Sequence, residues 1–360
     1  MSKRLPNERT NPPRVTIKTV AEAVGVSVCT VNKALTGKPR VGEEMRRRVI
    51  EAAERLGYRR NRLAHSLSRP PIAIGVVSPD AWPAHYRLLL DGVRNRLDEL
   101  SDYRLEARFE EVPDMKDGID FLRAVRAQID SGVNGLILAP GDYPPERRRL
   151  LWEMLRTARI PFVLLGMNES GHEVSPHLAV VEQDSRMCGR WAAELLALMT
   201  PDASRCAILA GSAEIRDHVL KIAAFREELA ARSRPEPAVA ETRDLPELAV
   251  EKTAELLRNC PDLTGIYVAT ENVPGVETAL ARAGKTGQIR LVATGISPHV
   301  LDGIAAGRIS ASISQQEPLQ GRKAVDILFQ YLETGCRPPL ENPIAPRIVM
   351  RSNLELFRSV

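Results

Sequence analysis

Residues 15–41 read Val-Thr-Ile-Lys-Thr-Val-Ala-Glu-Ala-Val-Gly-Val-Ser-Val-Cys-Thr-Val-Asn-Lys-Ala-Leu-Thr-Gly-Lys-Pro-Arg-Val, and the rest of the chain is read outward from them. Ile17, Val20, Ala21 and Val24 recur at the spacing of one helix face, and Thr16 stands where a cap belongs. Gly25 breaks the pattern where a helix can turn sharply. Ser27 is placed to cap a second helix with Val31, Ala34 and Leu35 facing inward. Two short helices joined by a tight Gly-containing turn make a helix-turn-helix, whose second helix lies in the major groove. A third helix is predicted over 43–56, with Val49, Ala52, Ala53 and Leu56 inward and Gly57 as its stop.

The charge is placed accordingly. Residues 1–70 hold 16 Lys+Arg against 6 Asp+Glu, a net of +10, and the remaining 34 and 40 give −6. A basic module followed by a mildly acidic body is the footprint of a nucleic-acid binder with a separate second function. The ordered apolar periodicity argues against a solvated basic tail. Arg46, Arg47 and Arg48 are by default a solvated run, with phosphate steering as the alternative. Five scattered cysteines include no Cys-x-x-Cys pair, which excludes a zinc finger and fits reduced thiols in the cytoplasm. Residues 1–14 are polar and Pro-rich, read as a disordered arm rather than a signal core. No apolar run approaches the roughly 20 residues of a membrane span.

With Asn61-Arg62-Leu63-Ala64-His65-Ser66-Leu67 following Tyr58 at the right distance, the head resembles that of the LacI/GalR family of bacterial transcription regulators. The resemblance implies that Val28, Cys29 and Lys33 meet base edges, with Asn32 reaching a phosphate or a base. Lys33 replaces the usual Arg and loses its rigid bidentate fork. Cys29 can offer its apolar surface to a thymine methyl. The bland alternative is the exposed face of a small helical bundle. Thr16, Ser27 and Thr30 either bind phosphate or merely cap. Gly42 stands where the family usually caps with Ser, a difference of a few tenths of a kcal/mol. The segment from Asn61 is similar to the family's hinge helix, too short to be stable alone. Its resemblance implies that Ala64 permits close approach to a dimer mate and that Leu67 wedges into the minor groove; the alternative is a plain linker.

Beyond Arg69-Pro70-Pro71 the pattern becomes short apolar runs alternating with amphipathic stretches. Strands are predicted at 72–77, 104–111, 135–139 and 161–165, with helices at 86–100, 117–131 and 145–158. The alternation then restarts, with strands at 178–181, 206–210, 238–241, 265–269 and 290–294 and helices at 185–199, 217–231, 247–259 and 273–283. A strand at 310–314 and a helix at 318–333 follow. This means parallel sheets flanked by helices. The whole is a small all-α helix-turn-helix domain followed by a two-lobed α/β body, two doubly wound parallel sheets that resemble periplasmic sugar-binding proteins. The predicted division is an arm over 1–14, a DNA-binding domain over 15–60, a hinge over 61–70, and an effector-binding and dimerisation domain of interleaved lobes over 71–360.

Ligands of open α/β sheets sit beyond the carboxyl ends of the strands. That selects the loops at 78–86, 141–142, 166–168, 212–221, 271–272 and 295–297, and Gln315. By the resemblance, Gln315, six residues before Gly321, matches a pocket Gln, and Lys221, four before Phe225, takes the place of a ligand-binding Arg. Gly166-Met167 replaces an Asp-Arg pair, Glu271 an Asn, and Ser297 an Asp, which speaks against a plain pentose or hexose. An unpaired Lys221 favours an anionic sugar derivative; if Glu271 neutralises it across the cleft, the ligand is neutral. Trp82, His85 and Tyr86 are either ring-stacking pocket residues or lobe packing. Asp217-His218 reads as surface. No metal spacing, Ser-His-Asp or Walker pattern occurs, and no cofactor is implied. The function expected is a sequence-specific regulator, most simply a repressor. It would be a cytoplasmic homodimer or higher oligomer on a pseudo-palindromic operator in double-stranded DNA, controlled by a small-molecule effector of carbohydrate type, with no membrane partner and no enzymatic role. The rival classes are a solute-binding protein and an α/β nucleoside- or sugar-processing enzyme.

Overall fold

A computed structural model of the chain describes residues 15–35, 41–56, 70–80, 83–113, 117–141, 143–166, 176–212 and 215–358. The chain divides into two compact units, residues 1–71 with Asp102–Arg104, and Ile72–Ser101 with Leu105–Val360.

In the first unit, α1 (Ile17–Val24), α2 (Val28–Leu35) and α3 (Glu43–Arg55) close on a core of Val20, Val31 and Val49, all without solvent exposure. Gly25 adopts a φ of 73°, a left-handed turn that any side chain would strain, and its N–H caps α1 on the carbonyls of Ala21 and Glu22. α3 has Gly42 as an N-cap without a side-chain bond and ends at Arg55, one residue short of the predicted end. Gly42 has a φ of −61° and open space around the position of a Cβ. Gly42→Ser should therefore raise the stability of this unit by a few tenths of a kcal/mol, read as a small upward shift of its unfolding transition.

The second unit holds two six-stranded sheets. The first has the order β11-β5-β4-β3-β1-β2, from β1 (Ile72–Pro79), β2 (Leu105–Val112), β3 (Gly135–Leu138), β4 (Phe162–Leu165), β5 (Ala179–Gln183) and β11 (Glu341–Ile344), all parallel. The second has the order β12-β10-β9-β8-β6-β7, from β6 (Arg205–Ala210), β7 (Ala238–Glu241), β8 (Leu263–Val268), β9 (Arg290–Thr294), β10 (Ala311–Ser314) and β12 (Arg347–Val349). Only β12 is antiparallel to its neighbour. The central strands are apolar along nearly their whole length, as strands covered by helices on both faces must be. Each sheet reverses its direction of growth beside its first strand, between β1 and β3 and between β6 and β8. Those are the switch points where doubly wound sheets open a crevice.

The helices are α4 (Pro83–Glu99), α5 (Ile119–Asp130), α6 (Pro145–Ala158), α7 (Ser185–Met199), α8 (Arg216–Ala231), α9 (Pro246–Asn259), α10 (Val273–Arg282), α11 (Pro298–Ala305) and α12 (Glu317–Thr334). Three crossings join the lobes. The chain leaves the first sheet after β5 at Asp184, returns after β10 through Gln315 and Gln316, and crosses again between β11 and β12. In the first lobe α12 lies against α4 with no room for side chains between them. A Cβ on Gly321 would sit 2.1 Å from the carbonyl oxygen of Leu89, and one on Gly92 would sit 2.1 Å from that of Pro318.

The structure adds elements the periodicity did not show: α11, β11, β12 and the 3-10 turns Ser101–Tyr103 and Arg351–Phe357. It also begins α4 at Pro83, three residues before the predicted start. Proline suits the first helical position because its missing N–H has no partner there in any case.

Candidate effector site and nucleic-acid interface

In the head, the hydroxyls at the helix starts act as caps. Thr16 accepts from the Thr19 N–H at 3.4 Å, while its own N–H donates to the Thr19 hydroxyl at 3.3 Å. Ser27 accepts from the Thr30 N–H at 3.1 Å and lies 2.9 Å from the Thr30 hydroxyl. On α2 the buried face is Val31 and Ala34, and the outward face presents Val28, 40% exposed, with Cys29 exposed beside it and Lys33 half-buried. Arg47 is tied to Glu44 at 2.7 Å, an exposed pair of small energetic weight. The side chain of Asn32, and Asn61, Ala64 and Leu67 entirely, lie outside the described residues.

In the body, the carboxyl ends of strands from both sheets bring one polar cluster together. Lys221, on the second turn of α8, is buried to 1% exposure. Its ammonium donates to Asp217 Oδ2 at 2.7 Å, to Gln315 Oε1 at 3.0 Å and to the Ala269 carbonyl at 3.5 Å. Asp217 in turn accepts from Gln183 Nε2 at 3.0 Å and from the Ser185 hydroxyl at 2.6 Å through Oδ1. Burial works against both charges, yet each stabilises the other more. Asp217 therefore titrates well below an ordinary aspartate and Lys221 well above an ordinary lysine.

This corrects three expectations. Asp217 and His218 are not surface residues: His218 is 8% exposed and Asp217 is enclosed between α8 and the first crossing. Lys221 is not an unpaired cation, because its carboxylate comes from one helical turn earlier rather than from position 166 or 297. Glu271 is not its neutralising partner. The premise for an anionic ligand goes with these corrections. The spacing of Asp217 and Lys221, four residues apart on a helix, was the signal that would have found the pair.

Around this pair stand further groups. The Ser212 N–H donates to His218 Nδ1 at 3.1 Å, which leaves the ring proton on Nε2, and burial depresses the basicity of the imidazole. Asp244 follows β7 with a φ of 56°, next to Arg243 at 47°. Two consecutive non-glycine residues in left-handed backbone cost of order 1–3 kcal/mol each, and such strain gathers at sites of function. Burial raises the pKa of Asp244 and also of Glu271, whose carboxylate is reached by solvent but ringed by protein and lies in the field of His85, Glu317 and Asp244. Glu317, the first residue of α12, is 2% exposed. Its Oε1 lies 3.6 Å from His85 Nδ1, and among the described residues its Oε2 has no hydrogen-bond partner. Burial opposes its ionisation, but the contact with His85 leaves it below the ordinary carboxylate range.

Of the remaining sequence candidates, Tyr86 is buried at 7% exposure with its ring edge-on to His85, centroids 5.3 Å apart. Ser297 caps α11 by accepting from the Val300 N–H at 3.4 Å. Trp82 lies outside the described residues. Asp244 and Glu317 were not singled out in the sequence. A Glu before a Pro at a helix start reads as an ordinary first-turn acid.

Comparison with known proteins gives the following. Residues 16–61 match the family model of bacterial regulatory proteins, lacI family, and residues 74–335 match that of the periplasmic binding protein domain. Catabolite control protein A of Priestia megaterium is 24% identical over 263 residues, 72% of this chain and 75% of that protein. The HTH-type transcriptional regulator MalR of Streptococcus pneumoniae is 29% identical over 208 residues, 56% of this chain and 58% of MalR, so the chain spans little more than half of that relative. The solved complex of the transcriptional regulator CelR with cellobiose superposes with a TM-score of 0.65 at 20% identity, covering 94% of this chain and 99% of CelR. At that identity the likeness to CelR is one of fold.

Proposed function

We propose that this chain, which belongs to the periplasmic binding protein domain family over residues 74–335 and matches the lacI family of bacterial regulatory proteins over residues 16–61, is a DNA-binding transcription regulator under a carbohydrate effector, that two copies grip a pseudo-palindromic operator as a repressor, and that the interlobe cleft sets how tightly. The observation that carries the reading is the hydrogen-bond chain through Lys221. It runs from Gln183 and Ser185 at the first crossing, through Asp217 and Lys221, to Gln315 at the second. A ligand that touches this chain touches two of the three connections about which the lobes turn. Its binding energy is thereby coupled to the angle between them.

The rest of the mechanism is linkage. Closure of the cleft changes how two bodies pair, which changes how the segments at 61–67 pair, and so alters operator affinity. In the head, Val28, Cys29, Asn32 and Lys33 read base edges, while Thr16, Ser27 and Thr30 present capped helix starts to phosphates. Asn61, Ala64 and Leu67 act in the minor groove. The effector side rests on Lys221, Gln315 and Glu271, with Tyr86, Trp82 and Ser297 shaping the walls. CelR's complex with cellobiose supports a sugar as the ligand class. The relatives named above are regulators rather than enzymes, and this role places the protein in the cytoplasm beside its DNA. Among the described residues no helix is long and apolar enough to cross a membrane.

The reading is tested with the full chain and Leu67→Ala. Wild type should bind a palindromic operator at least a hundredfold more tightly than random duplex and lose affinity steeply with salt. Leu67→Ala should weaken operator binding by a few kcal/mol and reduce DNA bending. Equal affinity for palindromic and random duplexes at moderate salt would end the regulator proposal. Unaltered affinity and bend in Leu67→Ala would end the hinge assignment alone.

A further inference from the structure

We propose that the interlobe cleft selects a carbohydrate bearing an ammonium group, an amino sugar, with Glu317 as the carboxylate that receives it. The inference rests on reading the cleft as the effector site and goes beyond it in naming what the ligand carries.

Three observations converge. The first is Glu317 itself, 2% exposed at the start of α12 directly after the second crossing. One of its oxygens faces His85 of the neighbouring helix α4 at 3.6 Å. The other has no partner among the described residues. A buried carboxylate oxygen left without a donor is costly, and a donor brought by a ligand removes that cost. A cationic donor removes it most effectively, because its hydrogen bond is charge-assisted.

The second is the balance of charge. Among the described residues the carboxylates gathered here are Asp217, Asp244, Glu271 and Glu317. Lys221 is taken up by Asp217 at 2.7 Å, and Glu182 on the same side is taken up by Arg216 at 3.1 Å. That leaves Asp244, Glu271 and Glu317 against His85 and His218. Three carboxylates outnumber two imidazoles, so the cluster stays negative even with both rings charged. A sugar acid or sugar phosphate would add to that excess. A neutral hexose would satisfy Oε2 but leave the excess in place.

The third is position. His85 comes from the switch point of the first sheet, and His218 and Glu271 from that of the second. Asp244 follows the neighbouring strand β7, and Glu317 opens α12 directly after the second crossing. Among the described residues no three His, Cys, Asp or Glu are disposed to hold a metal ion. The excess of carboxylate is therefore spread along a cleft wall, as suits an organic cation with hydroxyl groups around it.

The test is calorimetry on the full chain with D-glucosamine, D-galactosamine and D-mannosamine. Each is set against its parent hexose, its N-acetyl derivative and its uronic acid. At least one amine should bind tenfold or more tightly than its three counterparts. Glu317→Gln, and separately the solvent-reached Glu271→Gln, should each shrink the amine-to-hexose ratio severalfold, with folding checked by thermal melting. Tighter binding of a neutral or acidic member, no binding by any amine, or an undiminished ratio in both variants overturns the proposal. If a neutral hexose binds and shifts operator affinity while the amines do neither, only the ammonium assignment falls. If no sugar of any charge alters the affinity of an otherwise competent operator binder, the effector reading falls with it.

Discussion

Lys221→Met should cost the body about 3–5 kcal/mol, because it removes one partner of a buried ion pair and leaves the other charged and enclosed. Lys221 is the larger and more buried of the two, and among the described residues Asp217 keeps hydrogen bonds from Gln183 and Ser185 alone once the ammonium is gone. Chemical denaturation of the full chain reads the loss as a lower midpoint for the body's transition. Asp217→Asn combined with Lys221→Met should recover most of it, since neither charge of the pair then remains. If the single variant were as stable as wild type, the pair would not be enclosed in solution as it is here.

The pair also fixes a pH window. Asp217 titrates below its ordinary value of 3.8 in the folded chain, so its contribution is whole above 3.8 and is lost as pH falls through the lower folded value. Lys221 titrates above its ordinary 10.5, so its contribution is whole below 10.5 and is lost as pH rises through the higher folded value. The stability difference between wild type and the double variant should be flat between those limits. A slope centred near neutrality would assign it to other groups.

Gly321→Ala is the second large effect expected. The added methyl would lie 2.1 Å from the Leu89 carbonyl oxygen and 2.8 Å from the Val93 nitrogen, both backbone atoms that no rotamer change can move. Helices α4 and α12 must separate by roughly an ångström, with a cost of about 3 kcal/mol, at the upper end for overpacking. Because α12 begins at Glu317, the displacement should also weaken effector binding, which sets this variant apart from a remote core lesion. Gly92→Ala acts on the same crossing, so the two substitutions together should cost less than the sum of each alone. Thermal melting and calorimetry on the three variants check both points.

Much of this was legible in the chain before folding. The head declared itself through Val20, Val31 and Val49 at helical spacing, and the body through apolar runs such as Ile74–Val77 in β1 flanked by amphipathic stretches. What escaped had physical causes. α11 is eight residues long, and its buried Val300, Leu301 and Ile304 make too short a run for a helical face to recur. β11 reads Glu-Asn-Pro-Ile, and its proline and polar residues are tolerable only because it is an edge strand. The site was half legible. Lys221 and Gln315 lie together as the family resemblance implied, but Asp217 looked like a surface acid because nothing local announces that the first turn of α8 faces a crossing. Glu317 and Asp244 are ordinary acids in sequence, made unusual by what long-range folding places over them.

The ninefold run from Glu341 to Val349 has a consequence for the order in which the molecule is made. It supplies the outer strand of one sheet and then, after two intervening residues, the outer strand of the other. Domains emerging from a ribosome tend to fold from the amino end as units. Here neither lobe can finish ahead of the other, because both wait for the same late stretch. Until it arrives, β5 and β10 each present an unpaired flank, the kind of edge along which nascent chains stick to one another. A premature stop near residue 340 would therefore injure the two lobes at a single stroke, however far it lies in sequence from the cores of both.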